Sequence, residues 1–189
     1  TIFILLFFYG VYFGKMLRQR RRGIQTDQMG RGRKERRVYT IERVMKIATI
    51  AVVAAQVVSL CFAWSFLPVP LRAVGMAVGF LGDLIFALSV FTMRDSWRAG
   101  IPESDETAMV TEGIYSVSRN PAFLGFDLLY LGVLLVYGNP LTLVFSLWAA
   151  VMLHLQILSE ERHLSTVFGD TYLAYKARVG RYLGKRRRK

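Results

Sequence analysis

Long apolar runs alternate with charged segments along this chain of 189 residues. A helix needs about 20 mostly apolar residues to cross a hydrocarbon core of about 30 Å. We therefore predict five membrane-spanning helices, over residues Thr1 to Leu17, Ile47 to Leu67, Ala73 to Met93, Pro121 to Tyr137 and Leu141 to Leu158. The expected fold class is all-α: a multi-pass membrane helix bundle without a Rossmann domain.

Turn-forming residues predict how these helices are connected. Pro68 and Pro70 end the second span, because proline has no backbone N–H to donate. The segment "YGNP" at 137–140 is rich in turn formers, so the last two spans are predicted to be antiparallel neighbours. The third span carries small residues at a spacing that lets another helix approach closely, namely Gly75, Gly79 and Gly82.

A further helix is predicted after the fifth span. Apolar residues recur there every three or four positions among charged ones, as in an amphipathic helix: Leu164, Phe168, Tyr172, Tyr175, Val179 and Tyr182. Gly169 and Asp170 are expected to end one helical turn and cap the next. We expect this C-terminal amphipathic helix to lie on the membrane surface or over the loop 94–120.

The net charge of +12 is concentrated in two basic blocks. Twelve lysines and arginines lie between Lys15 and Lys46, and eight lie from Lys176 onward. Positive residues favour the cytoplasmic side, so we predict that the N-terminus lies outside and that the basic loop 18–46, the loop 94–120 and the C-terminus are cytoplasmic. Anionic lipid head groups are the expected partners. Nucleic acid is not expected, because the basic residues are not interleaved with exposed aromatic residues.

Polar side chains gather at the predicted cytoplasmic ends of the last two spans. Polar groups inside a membrane are costly and therefore mark candidate functional sites. Five such residues are expected to share one cavity open to the cytoplasm: Asn120, Asp127, His154, Gln156 and Glu160. Cys61, the single cysteine, lies in an apolar run, and neither a disulfide nor a metal site is expected.

Two segments carry a family resemblance. "MVTEGIYSVSRNPAFLGF" at 109–126 and "SEERHLSTVFGDTYLAYKARVGRYL" at 159–183 resemble the isoprenylcysteine carboxyl methyltransferase family and its phospholipid methyltransferase relatives. The matching positions are Val110, Gly113, Tyr115, Arg119, Pro121, Glu160, Glu161, Leu164, Phe168, Gly169, Tyr172 and Tyr175. The agreement covers the C-terminal two fifths of the chain.

The resemblance implies an integral-membrane methyltransferase that uses S-adenosylmethionine. The cofactor would lie between the loop and the last two helix ends, with its ammonium held by Glu160. The residues implied to enclose the rest of the cofactor are Met109, Val110, Tyr115, Asn120 and Phe123. Arg119, Gln156 and Glu161 are the residues expected on the substrate side. No catalytic residue is assigned.

Three positions depart from the family pattern. Asn120 stands where the family usually has His, Phe123 where it has Tyr, and Gln156 where the carboxyl-methylating members have Arg. Gln offers a neutral amide in place of a bidentate cation, so methyl transfer is better supported than a prenylcysteine substrate. The expected acceptor is a lipophilic molecule, with a carboxylate favoured, that enters from the bilayer.

The expected domain organisation is one membrane domain. Residues 1–93 would supply three spans, and residues 94–189 would form the methyltransferase-like region. Two other functions stay open at this point. One is a membrane sterol or enone reductase that uses NADPH, although "EERHLSTVFG" at 160–169 lacks the motif typical of those enzymes. The other is a non-enzymatic lipid-binding membrane protein, which would leave the two family motifs without a purpose.

Overall fold

The computed structural model describes residues 1–102 and 108–185. The described part is built from helices and loops, and it contains no β-strand. The five long helices are α1 (Ile2–Arg21), α2 (Arg36–Cys61), α3 (Val69–Met93), α4 (Pro121–Val136) and α5 (Pro140–Arg178). The last four basic residues of the predicted cytoplasmic tail, and residues 103–107 of the predicted cytoplasmic loop, lie outside the described residues.

Helix length and composition agree with a membrane protein. Among the described residues, α1, α2, α3 and α5 are long and apolar enough to cross a membrane. The fifth apolar helix, α4, has 16 residues, which correspond to about 24 Å. The prediction of an all-α, multi-pass membrane bundle is therefore confirmed, with four long helices and one shorter one.

The second span differs from its predicted limits. Helix α2 already begins at Arg36, inside the basic segment, and it ends at Cys61, well before the predicted end at Leu67. Helix α2 ends there because the residues that follow it form hydrogen bonds with Asn139 and Gly138. The Asn139 side-chain amide donates to the carbonyl of Trp64 at 3.0 Å, and the Phe66 N–H donates to the carbonyl of Gly138 at 3.0 Å.

Helices α3 and α4 make the closest helix contact, and glycines allow it. A Cβ added to Gly82 would lie 2.8 Å from the carbonyl oxygen of Gly125 on α4. A Cβ added to Gly75 would lie 2.6 Å from the carbonyl oxygen of Gly132. Backbones can approach this closely only where side chains are absent, which confirms the predicted packing role of the glycines in the third span.

The remaining helices complete the bundle around this pair. Helix α5 packs mainly against α2, and α1 packs against α3. The core at the α1–α3 contact is aromatic, with the rings of Phe8 and Phe86 stacked 4.2 Å apart. Phe126 of α4 meets Phe8 edge-on at 4.7 Å.

Tertiary contacts bring the basic segment 18–46, the described parts of the loop 94–120 and residues 179–185, the C-terminal segment, to one end of the bundle. The Gln19 side-chain amide donates to the carbonyl of Trp97 at 3.0 Å. The buried Glu42 accepts from the N–H of Ile101 at 2.9 Å and from Lys34 Nζ at 2.6 Å. The predicted clustering of these segments is thus observed, while the side of the membrane on which they lie stays a prediction.

Helix α5 is longer than the predicted span and is kinked at Gly169, which has φ 50° and ψ −130°. The helix after the kink lies over the loop, because the Tyr175 hydroxyl donates to the carbonyl of Tyr115 at 2.6 Å. The amphipathic pattern predicted a helix to Tyr182, but α5 ends at Arg178. Residues 179–185 turn back toward the loop instead, since the Gly184 N–H donates to the carbonyl of Val117 at 2.9 Å.

Candidate functional site

The consecutive residues Glu160 and Glu161 of α5 face different surroundings. Successive side chains on an α-helix are about 100° apart. Glu160 lines a cavity inside the bundle, whereas Glu161 points into a cluster of polar groups from the loop and the C-terminal segment. The candidate site therefore has two parts, a cavity beside Glu160 and a polar cluster around Glu161.

The cavity beside Glu160 has a volume of about 770 Å³. Side chains from all five long helices, together with residues of the loops after α1 and α3, line it. Most of them are apolar, including Tyr9, Tyr12, Phe13, Met45, Ile50, Val53, Phe86, Trp97, Phe123 and Phe126. Charged residues occur toward the loop end, where Asp27 and Lys46 form an ion pair of 2.6 Å. The cavity therefore suits a molecule with a long apolar part and a polar end.

Glu160 has one internal partner and an open side. The Gln156 side-chain amide donates to Glu160 Oε1 at 3.0 Å, and Gln156 is fully buried. Burial raises the pKa of the Tyr115 hydroxyl, with smaller contributions from Tyr175 and Glu160. Glu160 thus lies near the loop as well as the cavity. That Tyr115 and Glu160 border one cofactor site stays a prediction.

Glu161 is the centre of a buried ion-pair cluster. Its Oε1 accepts from Arg119 Nη2 at 2.7 Å and from Arg119 Nε at 3.2 Å. Asn120 Nδ2 donates to the same oxygen at 3.1 Å. Arg181 donates from Nε to Oε1 at 3.2 Å and from Nη2 to Oε2 at 3.0 Å. The carboxylate is therefore fully engaged with protein donors.

Arg119 and Asn120 are also held by backbone groups. Arg119 Nη1 donates to the carbonyls of Lys176 and Val179 at 3.0 and 3.1 Å, and the Arg119 side chain is only 1% exposed. Asn120 Nδ2 donates to the carbonyl of Arg181 at 3.2 Å. The structure shows these side chains bound to protein partners; their direct contact with a substrate or cofactor stays a prediction.

The other expected cofactor residues occupy two positions. Met109 packs against Tyr172, Tyr175 and Val179 under the C-terminal helix, and Val110 follows it in the same half-buried stretch of loop. Phe123 lies in the first turn of α4 and lines the cavity. Phe123 and Glu160 therefore share the cavity, whereas Met109 belongs to the separate apolar cluster under the C-terminal helix.

The single cytoplasmic cavity expected for five polar residues is not observed. Gln156 and Glu160 stay together, but Asn120 belongs to the Glu161 cluster. His154 Nδ1 lies 2.6 Å from the Tyr182 hydroxyl. One carboxylate oxygen of Asp127 is buried without a hydrogen-bond partner among the described residues. His154 and Gln156 are about 200° apart around α5, and Asn120 precedes α4 and is held by Glu161.

Sequence reasoning missed two contributors to the site. The basic tail and the amphipathic pattern predict no role at the site for Arg181 and Tyr182, yet Arg181 contacts Glu161 and Tyr182 contacts His154. The buried pair of Lys34 and Glu42 was also missed, because it lies inside the basic segment. The one available signal was that Glu42 is an isolated acidic residue next to an apolar run.

Comparison with known families gives one match over half of the chain. The family model described as phospholipid methyltransferase matches residues 71–171. This interval contains the loop, both glutamates, helix α4 and most of α3 and α5.

Similar proteins include two yeast enzymes that are both called protein-S-isoprenylcysteine O-methyltransferase. The chain is 39% identical to that of Schizosaccharomyces pombe over 72 residues, which cover 38% of this chain and 30% of the relative. It is 30% identical to that of Saccharomyces cerevisiae over 124 residues, which cover 63% of this chain and 51% of the relative. The chain thus spans about half of these relatives or less.

A solved structure shares the fold. The eukaryotic intramembrane Ras methyltransferase, an isoprenylcysteine carboxyl methyltransferase, superposes with a TM-score of 0.56 at 22% sequence identity. The superposition covers 72% of this chain and 50% of that chain. At this identity the likeness shows a shared fold.

Proposed function

The chain belongs to the phospholipid methyltransferase family, and from this membership we propose that it is an integral-membrane methyltransferase of the isoprenylcysteine carboxyl methyltransferase type. It would transfer a methyl group from S-adenosylmethionine to a lipophilic acceptor at the cytoplasmic membrane face. Residues 94–189 would form the catalytic region, and residues 1–93 would supply three spans and part of the acceptor cavity.

The observation that carries this proposal is the apolar cavity with Glu160 on its wall. Its lining includes side chains that also face outward between α1 and α2: Ile50 is 64% exposed and Phe13 is 49% exposed. In a membrane these positions would face lipid, which supports a lateral route by which an amphipathic acceptor would enter the cavity. The cavity and the family membership together support lipid-linked methyl transfer.

The residues around Glu160 fit a positively charged methyl donor. Glu160 uses one carboxylate oxygen to accept from Gln156, and its other oxygen has no hydrogen-bond partner within 1–102 and 108–185. A carboxylate in a low-dielectric cavity attracts an ammonium strongly. Glu160 would hold the ammonium of S-adenosylmethionine, while Met109, Val110, Tyr115, Asn120 and Phe123 would border its remaining parts.

Methyl transfer requires that the acceptor be aligned with the donor methyl group and that water be excluded. S-adenosylmethionine supplies a methyl group on a sulfonium that is already activated toward displacement. The protein has to hold the acceptor nucleophile in line with that carbon and desolvate it. The walls of the cavity include Phe123 and Trp97, and such apolar surface would favour the exclusion of water. A carboxylate nucleophile carries no proton to remove, so this reaction needs no general base.

We infer an isoprenylcysteine carboxylate as the acceptor. The yeast relatives bear that substrate in their names, and the apolar cavity accommodates a branched hydrocarbon chain. Gln156 is hydrogen-bonded to Glu160 and offers no cation to a carboxylate. Arg119, Gln156 and Glu161 remain the proposed residues on the acceptor side, with Arg119 and Glu161 already paired to each other.

The proposed orientation places the N-terminus outside and the basic segments in the cytoplasm. Its support is the gathering of the segment 18–46, the loop 94–120 and the C-terminal segment at one end of the bundle. Anionic lipid head groups are the proposed partners of the exposed arginines there, since each basic side chain near such a surface contributes about 1 kcal/mol.

The testing experiment is a methyl-transfer assay in lipid nanodiscs. Labelled S-adenosylmethionine is supplied with N-acetyl-S-farnesylcysteine, and N-acetylcysteine serves as the matched acceptor without a lipid. The proposal predicts a base-labile methyl ester on the farnesylated compound alone. Equal labelling of both acceptors, or label that resists base, would contradict a lipophilic carboxylate as the acceptor.

A further inference from the structure

We propose that Glu161 is a positioning residue that clamps residues 179–185, the C-terminal segment, onto the turn formed by Arg119 and Asn120. The clamp fixes the loop that borders the donor site. This inference rests on the proposed function, because the site concerned is the proposed site for S-adenosylmethionine.

The side-chain contacts join three separate parts of the chain. Glu161 comes from the middle of α5, Arg119 and Asn120 from the end of the loop, and Arg181 from the C-terminal segment. All three partners donate to the one carboxylate, at distances between 2.7 and 3.2 Å. Two arginines that would otherwise repel each other are thereby held on either side of a shared acceptor.

Backbone hydrogen bonds also join the loop to the C-terminal segment. The Arg119 N–H donates to the carbonyl of Gly180 at 3.0 Å, and the Gly184 N–H donates to the carbonyl of Val117 at 2.9 Å. Asn120 adds a side-chain hydrogen bond to the carbonyl of Arg181 at 3.2 Å. The loop and the C-terminal segment thus form one hydrogen-bonded unit, and Glu161 attaches this unit to α5.

Burial makes the clamp depend on charge. The side chains of Arg119 and Glu161 are 1% and 4% exposed, so water cannot replace either partner. An arginine fork binds both oxygens of a carboxylate, which an amide cannot match. Arg181 is attached at the surface edge of the cluster, where its side chain is 33% exposed. Its loss would therefore loosen the segment while leaving the buried pair of Arg119 and Glu161 in place.

The clamp matters for the donor site because Glu160 is the next residue. Glu160 and Glu161 belong to one helical turn, so a loop attached to Glu161 has a fixed position relative to the Glu160 carboxylate. Tyr115 and Met109 lie on that loop and pack under Tyr175. Functional groups need support of this kind to hold their geometry within about 0.5 Å. Glu160 would then bind the donor, and Glu161 would set the distance to the loop.

The experiment compares Arg181→Lys with the matched control Arg178→Lys. Arg178 is an exposed arginine three residues earlier, and its Nε donates to the carbonyl of Ala174 within α5. For each purified protein three quantities are measured: hydrogen exchange of the peptide containing residues 179–185, the Kd of S-adenosylhomocysteine, and kcat at saturating donor. Arg181→Lys keeps the charge and is the variant expected to fold normally.

For Arg181→Lys we expect exchange at least tenfold faster in the C-terminal segment, a Kd about tenfold weaker, and kcat at saturating donor within twofold of the wild type. Arg178→Lys should match the wild type in all three. Faster exchange with an unchanged Kd would overturn the proposal, since the clamp would then be purely structural. A weaker Kd with unchanged exchange would overturn it by making Arg181 a direct ligand. If the wild type itself does not bind S-adenosylhomocysteine, it is the proposed function that fails.

Discussion

Glu160 and Glu161 are adjacent in sequence, yet Glu161 Oε1 lies 2.7 Å from Arg119 Nη2 while Glu160 faces the apolar cavity. The acidic pair of the family motif is therefore divided in this protein between two environments. One carboxylate is open to a ligand, and the other is engaged by two arginines and an asparagine. Glu160 is therefore available to bind a ligand, whereas Glu161 holds neighbouring side chains in place.

Asn120 is predicted to support Glu161 through its amide hydrogens. Asn120→Leu keeps a similar volume but removes the donors to Glu161 and to the carbonyl of Arg181. Loss of a buried hydrogen bond typically costs about 0.5 to 1.5 kcal/mol, so the melting temperature should fall even though both arginines still donate to Glu161. Asn120→His, which restores the residue usual in the family, keeps a ring N–H donor and should be less destabilised. A histidine variant that melts below the leucine variant would contradict this role.

The glycine contact between α3 and α4 is predicted to tolerate no side chain. In Gly132→Ala the new methyl group would collide with the backbone of Gly79 and with the carbonyl oxygen of Gly75. Overpacking of this kind costs about 1 to 3 kcal/mol, to be measured by thermal unfolding in detergent. Gly10→Ala on α1 is the matched control, because a Cβ there meets nothing within 4 Å. Equal stability of the two variants would show that the helices do not approach as described.

The cavity is predicted to bind the apolar part of the acceptor. Ala54→Trp places an indole at a position that lines the cavity. We expect kcat/KM for the farnesylated acceptor to fall about tenfold or more, equivalent to about 1.4 kcal/mol, while the Kd of S-adenosylhomocysteine is unchanged. Val58→Trp, one turn further along α2 at a position that is also exposed but is not part of the cavity lining, controls for the added bulk. An equal fall of kcat/KM in both variants would contradict the proposal that the cavity binds the acceptor.

His154 is predicted not to act as a general base. Its Nδ1 lies 2.6 Å from the Tyr182 hydroxyl, and a carboxylate acceptor has no proton to give up. His154→Gln should therefore lower kcat by less than about tenfold at every pH tested, whereas loss of a general base typically costs about 100-fold or more. A large loss with a changed pH–rate profile would point to an amine or thiol acceptor instead.

Much of the fold was predictable because a membrane imposes simple rules on the sequence. Apolar runs located the helices, and the glycines of the third span located the close contact of α3 with α4. The helix limits were less predictable, since Asn139 and Gly138 hold residues 62–68 through tertiary hydrogen bonds that no local pattern reveals.

The sequence predicted which residues gather near the candidate site, but not which groups each of them contacts. The motifs identified Arg119, Asn120 and both glutamates, but a one-dimensional pattern does not say which way each side chain turns. The expected grouping with His154 and Asp127 failed for that reason. The role of Arg181 was not predicted, because it depends on the chain folding back after α5. Backbone hydrogen bonds that join Gly180 and Gly184 to the loop hold the chain in that position.

The most direct test of the central claim is the thermal shift of the purified protein with S-adenosylhomocysteine, next to NADPH. It is measured for the wild type, Glu160→Gln and Glu35→Gln, where Glu35 is an exposed glutamate at the start of α2. A ligand at 100 times its Kd stabilises by about 2.7 kcal/mol. The account predicts this shift for the wild type and Glu35→Gln with S-adenosylhomocysteine only, and its loss in Glu160→Gln. Stabilisation by NADPH alone, or an equal shift in Glu160→Gln, would contradict it.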